Sequence, residues 1–118
     1  MRISVGVAAV AVLLVCAAGC GPKLPPSKPY SQLTETERAG FAVFQGNCAR
    51  CHYANSTHGL HVPGLQGLYK EPYLPSGAPA NDDRITAVIL HGHATMPGFS
   101  GKIDDEELAH LLAYLHTL

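Results

Sequence analysis

Residues 48–52 form the sequence Cys-Ala-Arg-Cys-His, which carries the strongest chemical signal in this chain of 118 residues. In a C-x-x-C-H segment, the two thiols add across the two vinyl groups of a porphyrin, and the adjacent imidazole reaches the iron from the same side. Cys48 and Cys51 are therefore expected to attach one haem covalently. His52 is expected to be an axial ligand of the haem iron.

Two other interpretations of these cysteines compete with haem attachment. A thioredoxin-like dithiol needs a βαβ context, and the flanking sequence has no strand pattern. A zinc site could combine Cys48 and Cys51 with His58 and His61. However, only six residues separate Cys51 from His58, whereas zinc fingers place about 12 to 15 residues there. The zinc pattern also leaves His52 without a role, so haem is the better prediction.

A helix is expected to lead into this segment. Thr34 and Glu37 have the spacing of a capping box, in which each residue accepts a hydrogen bond from the backbone of the other. The helix is expected to run to about Gln45 and to end at Gly46.

Two further helices are expected downstream. Asn81 or Asp82 can cap a helix that ends at His91, and Asp104 with Glu107 repeats the capping-box pattern before a C-terminal helix. Because strand signals and internal repeats are absent from the sequence, the expected fold class is all-α. The apolar faces of these helices are expected to be Ile85, Val88 and Ile89 in the first and Leu108, Leu111, Leu112 and Leu115 in the second.

The segment from Tyr53 to Pro79 is expected to be a long loop, because it is rich in Gly, Pro, Asn and Ser and shows no sustained period. At most, a short helical turn is expected between Leu65 and Lys70. Long loops of this kind usually wrap round something, and a haem face would supply the surface on which this loop packs.

Across residues 34–118, the sequence resembles the class I monohaem cytochromes c. The first helix of that family carries the pattern G-x-x-x-F-x-x-x-C-x-x-C-H, which Gly40, Phe44 and the C-x-x-C-H segment match. The resemblance implies a small cytochrome c fold, with three to four helices wrapped round one covalently bound haem c. It also implies that the last helix crosses closely at Gly40 through Leu111 and Tyr114.

A second match lies in residues 89–99, which have the pattern I-x-x-G-x-x-x-M-P-x-F. This pattern resembles the distal ligand loop of the family, which implies that Met96 supplies the second axial bond to the iron. Pro97 restricts Met96 to extended backbone geometry and so stiffens the loop. His91 and His93 stay open as rival ligands, because imidazole also binds iron readily.

A third match is Pro63-Gly64-Leu65, where the family has the pattern Gly-Pro-x-Leu. The resemblance implies that the Pro63 carbonyl accepts the ring N–H of His52 and fixes its tautomer. It also implies that Leu65 packs on the porphyrin. The order of the residues departs from the family pattern, and a plain turn is the alternative.

The N-terminus is expected to direct export. Residues 3–18 are nearly all apolar and carry no charge, follow Arg2, and at 16 residues fall short of the roughly 20 needed to span a bilayer. Residues 1–19 are therefore expected to be a signal peptide, with an uncleaved membrane anchor as the alternative. Residues 17–20, Ala-Ala-Gly-Cys, resemble the lipobox of bacterial lipoproteins, which implies that Cys20 is lipidated and begins the mature chain.

A Pro-rich tether is expected over residues 20–33, ahead of a single cytochrome domain over residues 34–118. At about 3.1 Å per residue, this tether could hold the domain roughly 40 Å from a membrane surface. The alternative is an arm that lies on the domain. The expected location is the bacterial cell envelope, as a lipoprotein that faces the periplasm or the outer side of the membrane.

The charge of the chain argues against nucleic-acid binding, and its cysteine content argues against a structural disulfide. The chain has 8 basic and 9 acidic residues and a formal net charge of −1, with no basic stripe of the kind that nucleic acid requires. Nucleic-acid binding is therefore not expected. The remaining cysteines, Cys16 and Cys20, lie in or beside the expected signal, so no pair is left for a structural disulfide.

A haem iron with both axial positions filled cannot readily bind a substrate, so we expect an electron carrier rather than an enzyme. The expected partners are a redox donor and a redox acceptor, with membrane respiratory complexes as the prime candidates, and no small-molecule substrate. Two alternatives stay open. One is a haem-based sensor or peroxidase-like enzyme with a labile Met96, and the other is a fixed cytochrome subunit of a respiratory oxidase or dehydrogenase.

Overall fold

The structure is a computed structural model that describes residues 24–59 and 62–118. The expected signal peptide and Cys20 lie outside the described residues, as does His61 of the zinc interpretation.

Three α-helices form the framework of the described chain: α1 (Glu35–Asn47), α2 (Asp82–His91) and α3 (Asp105–Leu115). A short 3₁₀ turn, Tyr30–Gln32, precedes α1. Within the described ranges there is no β-strand, only isolated bridges, which confirms the all-α fold class. None of the helices in this part of the chain is long and apolar enough to cross a bilayer.

Side chains cap all three helices. At the start of α1, the Thr34 hydroxyl accepts from the Glu37 N–H at 3.2 Å, and the Glu37 carboxylate accepts from the Thr34 N–H at 2.7 Å. Asn81 caps α2, and Asp104 with Glu107 forms the same reciprocal box before α3. These bonds satisfy backbone N–H groups that a helix start leaves without partners.

The expected end of α1 at Gly46 is wrong, because the helix continues through Gly46 to Asn47. The side-chain amide of Asn47 donates to the Val43 carbonyl at 2.9 Å, and the Cys48 N–H donates to the Phe44 carbonyl at 2.8 Å. Both bonds occupy carbonyls that the last turn would otherwise leave free. The helix therefore ends directly at the first cysteine of the C-x-x-C-H segment.

The helices α1 and α3 cross in direct backbone contact at Gly40. A Cβ atom at this buried glycine would overlap the carbonyl oxygen of His110 and lie 2.8 Å from the Cβ of Tyr114. Beside the crossing, Phe44 is 1% exposed and its ring lies 5.5 Å from that of Tyr114, measured between centroids. The core extends from this contact through Leu33, Ile85, Ile89, Ile103, Leu111, Leu115 and Leu118.

The apolar faces of α2 and α3 contain the residues that the sequence predicts. Ile85 and Ile89 of α2 are buried, as are Leu111, Tyr114 and Leu115 of α3. The other members of the predicted faces, Val88, Leu108 and Leu112, are half-buried, and the two leucines pack against the core.

Tyr69 holds the loop between α1 and α2 to the start of α2 and to the C-terminal end of α3. Its hydroxyl donates to Asp82 at 2.5 Å, and its ring stacks on His116 with centroids 3.6 Å apart. The hydrogen bond from Tyr69 holds the pKa of Asp82 below its ordinary value, and the nearby His116 acts in the same direction. The loop also contains the short turn expected near Leu65, where the Leu68 N–H donates to the Leu65 carbonyl at 3.1 Å.

The N-terminal arm, residues 24–33, lies on the domain, in contrast to the extended tether that the sequence predicts. The Lys28 N–H donates to the Thr117 carbonyl at 2.8 Å, and the Lys28 ammonium lies 2.8 Å from the Glu37 carboxylate. Leu33 is 3% exposed, within the core. The arm docks because Leu33 adds buried apolar area to the core. In addition, the Lys28 N–H pairs with the Thr117 carbonyl, which lies just beyond the end of α3.

Gly40→Ala is expected to lower the free energy of unfolding by about 1–3 kcal/mol, because the added methyl group would force α1 and α3 apart. Gly46→Ala is the matched control on the same helix, where an added Cβ has nothing within 4 Å. It is expected to stabilise the protein by about 0.5–1 kcal/mol through helix propensity. Denaturant unfolding of both purified variants measures the two values, and similar values would contradict the close crossing.

Candidate functional site

An apolar cavity of about 280 Å³ is lined by all three helices and by the loops that follow α1 and α2. Among the described residues that line it, there is no Asp, Glu, Lys or Arg. Such a cavity suits a largely apolar ligand that a few polar groups hold in place. The buried helix side chains in its walls are Phe44, Ile85, Ile89, Leu111 and Leu115.

The C-x-x-C-H segment forms a tight turn at the end of α1. The N–H groups of Cys51 and His52 both donate to the carbonyl of Cys48, at 3.0 and 2.9 Å. This turn brings the side chains of Cys48 and His52 to the cavity, whereas Cys51 is exposed and is not among the lining residues. The direct link to the helix thus fixes the backbone positions of all three residues.

Burial raises the pKa of the Cys48 thiol to about 11, and the neighbouring Cys51 contributes in the same direction. The cavity wall therefore disfavours the thiolate form of a free Cys48. A neutral sulfur adds no charge to the apolar cavity, and the sulfur of a thioether is also neutral.

His52 is oriented by a backbone carbonyl. Its Nδ1 atom lies 2.9 Å from the carbonyl oxygen of Pro63, which is the contact that the sequence resemblance implies. Because a carbonyl oxygen only accepts, Nδ1 carries the proton and Nε2 is the nitrogen left for a metal. Pro63 and Leu65 both line the cavity.

The loop that presents Pro63 is packed backbone against backbone. The Leu65 N–H donates to the Tyr53 carbonyl at 2.9 Å. A Cβ atom at Gly64 would overlap the carbonyl oxygen of Ser56, so only glycine allows this approach. The turn at Pro63-Gly64-Leu65 therefore serves to bring the Pro63 carbonyl to His52.

Met96 lies in a tight turn that also faces the cavity. The Met96 N–H donates to the His93 carbonyl at 2.9 Å, and the His93 N–H donates to the Met96 carbonyl at 3.1 Å. Within this turn, Ala94 has a φ of 52°, which is uncommon outside glycine. The Phe99 N–H donates to the Ile89 carbonyl at 2.9 Å and ties the end of the loop to α2.

The two histidines that compete with Met96 as possible iron ligands lie in different environments. His93 lines the cavity together with Met96, whereas His91 is exposed and is not among the lining residues. Met96 is half-buried, and His93 is exposed.

The zinc interpretation has no support among the described residues, where no three His, Cys, Asp or Glu side chains are grouped to hold a metal ion. The exposed His58 is engaged locally, since its Nδ1 lies 3.1 Å from the Thr57 hydroxyl.

Several lining residues could not be singled out from the sequence. They lie in the loop between α1 and α2, where the apolar positions follow no period. The sequence feature that could have identified these lining residues is that they are isolated apolar residues in a segment otherwise rich in Gly, Pro and Ser. They are Val62, Leu68, Leu74 and Pro75.

A family model described as "Cytochrome C oxidase, cbb3-type, subunit III" matches residues 35–115, which include all three helices. The cytochrome c6 of Chlorolobion braunii is 35% identical over 77 residues, covering 65% of this chain and 84% of that protein. The cytochrome c6 of Bryopsis maxima is 37% identical over 78 residues, covering 64% and 84%.

The fold has a counterpart among solved structures. Cytochrome c6 from the diatom Phaeodactylum tricornutum aligns with a TM-score of 0.54 and 26% sequence identity, covering 67% of this chain and 88% of that chain. The family match extends over most of the described domain and includes the C-x-x-C-H turn. The chain therefore belongs to the cytochrome c family, and within it to the class I monohaem proteins, which transfer electrons through one covalently attached haem c.

Proposed function

We propose that this protein carries single electrons between redox proteins of a bacterial cell envelope, through a haem c ligated by His52 and Met96. The observation that carries this proposal is that both side chains line a single cavity with apolar walls. Cys48 lines the same cavity, and Cys51 lies on the same turn. We assign these two cysteines to the thioether bonds.

The residues round the cavity each have a defined role in this proposal. The hydrogen bond to Pro63 holds the imidazole of His52 in one orientation and increases its strength as a ligand. Leu65 packs against the porphyrin from the cavity wall. When bound, the haem supplies a one-electron couple between ferric and ferrous iron.

Met96 is the better candidate for the second axial ligand than His93. Its thioether is half-buried beside apolar walls, whereas the imidazole of His93 is exposed. A sulfur ligand and a buried, apolar environment both favour the ferrous state and so raise the reduction potential. With both axial positions occupied, the protein has no open site for a substrate, which favours electron transfer over catalysis.

We further propose that the protein is exported and anchored to the membrane through a lipid on Cys20. The support lies in the sequence, where an apolar segment of 16 residues ends in a lipobox-like Ala-Ala-Gly-Cys. The partners would then be membrane respiratory complexes that face the periplasm or the outer side of the membrane.

A fixed subunit of a respiratory oxidase is the second candidate. The family match favours it, since the description of that family names an oxidase subunit. Co-purification from gently solubilised membranes separates the two candidates. A fixed subunit would co-purify in constant ratio with larger redox proteins, whereas a free carrier would be recovered alone.

Removal of the Met96 side chain would open one axial position of the haem iron, so it tests whether Met96 is the second ligand. The ferrous wild-type protein is expected to exclude CO, whereas Met96→Ala is expected to bind CO rapidly and to lose the sulfur-to-iron charge-transfer band of the ferric state. His93→Ala is the matched control, because His93 lines the same cavity, and it should retain both wild-type properties. Stopped-flow and visible spectra measure these effects. Rapid CO binding by the wild-type protein would instead favour a sensor or enzyme.

Gly92→Ala is expected to displace Met96. Gly92 has φ 80° and ψ 172°, a conformation essentially confined to glycine, and an added Cβ would overlap the Met96 carbonyl oxygen. Gly101→Ala is the matched control, with a φ of 81° but nothing within 4 Å. Both variants should lose about 1–3 kcal/mol of stability through backbone strain. Only Gly92→Ala should weaken the charge-transfer band, and an unchanged band would contradict this positioning role.

A further inference from the structure

The outer end of the N-terminal arm is fixed to the loop that forms one wall of the cavity. Leu24 packs on Gly67, where an added Cβ would lie 2.7 Å from a Leu24 methyl carbon. The Gln66 side-chain amide donates to the Pro25 carbonyl at 3.2 Å. Leu65 and Leu68 of the same loop line the cavity, so the arm docks on the outside of a wall of the haem site.

The middle of the arm is held by Lys28, which bridges two other parts of the domain. Its backbone N–H donates to the Thr117 carbonyl at 2.8 Å, just beyond α3. Its ammonium group contacts both carboxylate oxygens of Glu37 in α1, at 2.8 and 3.0 Å.

The inner end of the arm merges with the core. The Tyr30 ring lies 5.1 Å from the Phe41 ring in an edge-to-face arrangement, and the Arg38 guanidinium lies over Tyr30 at 5.8 Å. Leu33 is buried at 3% exposure. The arm is thus attached along its whole described length and does not act as a spacer.

We infer that the docked arm holds the haem domain directly against the lipid surface, with Gln66, Gly67 and Leu24 on the membrane side. The inference rests on the lipidation of Cys20 proposed above. From Cys20 to Leu24 the chain makes four Cα steps, which reach at most about 14 Å in any conformation. An arm that was free from Cys20 to Leu33 would allow roughly 40 Å.

This short reach defines the kind of partner. The domain exchanges electrons with membrane proteins whose redox centre lies near the bilayer surface, and partners that project far from the bilayer are excluded. The chain also leaves the domain beside the cavity wall formed by Leu65 and Leu68. The haem site therefore lies on the membrane-proximal part of the domain.

Fluorescence quenching by the haem tests this placement. The mature, lipidated holoprotein is inserted into phosphatidylcholine vesicles that contain a trace of headgroup-labelled lipid, whose emission the haem quenches at short range. A Gly/Ser spacer of about 12 residues before Leu24 has a root-mean-square length of about 20 Å. We expect strong quenching by the wild-type protein and a clear loss of quenching in the spacer variant.

The visible spectrum of the spacer variant confirms that its haem domain is folded.

The outcomes separate this inference from the proposals on which it rests. A mature chain that does not begin with acylated Cys20, measured by mass spectrometry, overturns the inference together with the lipid anchor, while electron transfer stands. If Cys20 is acylated, wild-type quenching in the spacer variant overturns the inference alone. Weak quenching by the wild-type protein would also overturn the inference and leave the lipid anchor and the electron-transfer proposal unaffected.

Discussion

The backbones of α1 and α3 touch at Gly40, and the placement of the functional residues depends on this contact. A side chain at Gly40 would overlap the His110 carbonyl, so the two helices can approach this closely only through glycine. The crossing buries Phe44 and Leu111, both of which also line the cavity. Because α1 runs without interruption to Asn47, the crossing also sets the position of the C-x-x-C-H turn that follows it.

The two loops that carry Pro63 and Met96 are held by backbone hydrogen bonds rather than by regular structure. On one side, the Pro63 carbonyl fixes the ring of His52. On the other side, the turn at His93 and Met96 closes on itself and is tied back to α2 through Ile89. The unusual backbone angles at Gly92 and Ala94 lie within this second loop. Strained residues of this kind persist where the surrounding structure determines them, as is common at functional sites.

Features that depend on local chemistry could be predicted from the sequence. The three helix starts follow from side chains that bond to backbone groups three residues away, and the C-x-x-C-H spacing specifies its own chemistry. The contact between His52 and Pro63 was accessible only through the family resemblance, since nothing in the segment between them specifies it.

Features that depend on distant partners could not be predicted. The Pro-rich composition of the arm indicates an extended segment, but its docking depends on Thr117 and Gln66, which lie far along the chain. Local propensity does not contain such information, because tertiary contacts decide which of several permitted conformations is formed.

Acid-acetone extraction of the purified protein, followed by intact-mass measurement, tests the central claim that Cys48 and Cys51 hold a haem covalently. The account predicts that the pigment stays with the precipitated polypeptide and that the mass exceeds that of the processed chain by one haem. Pigment that washes into the acetone, or a protein with no haem at all, would contradict the account.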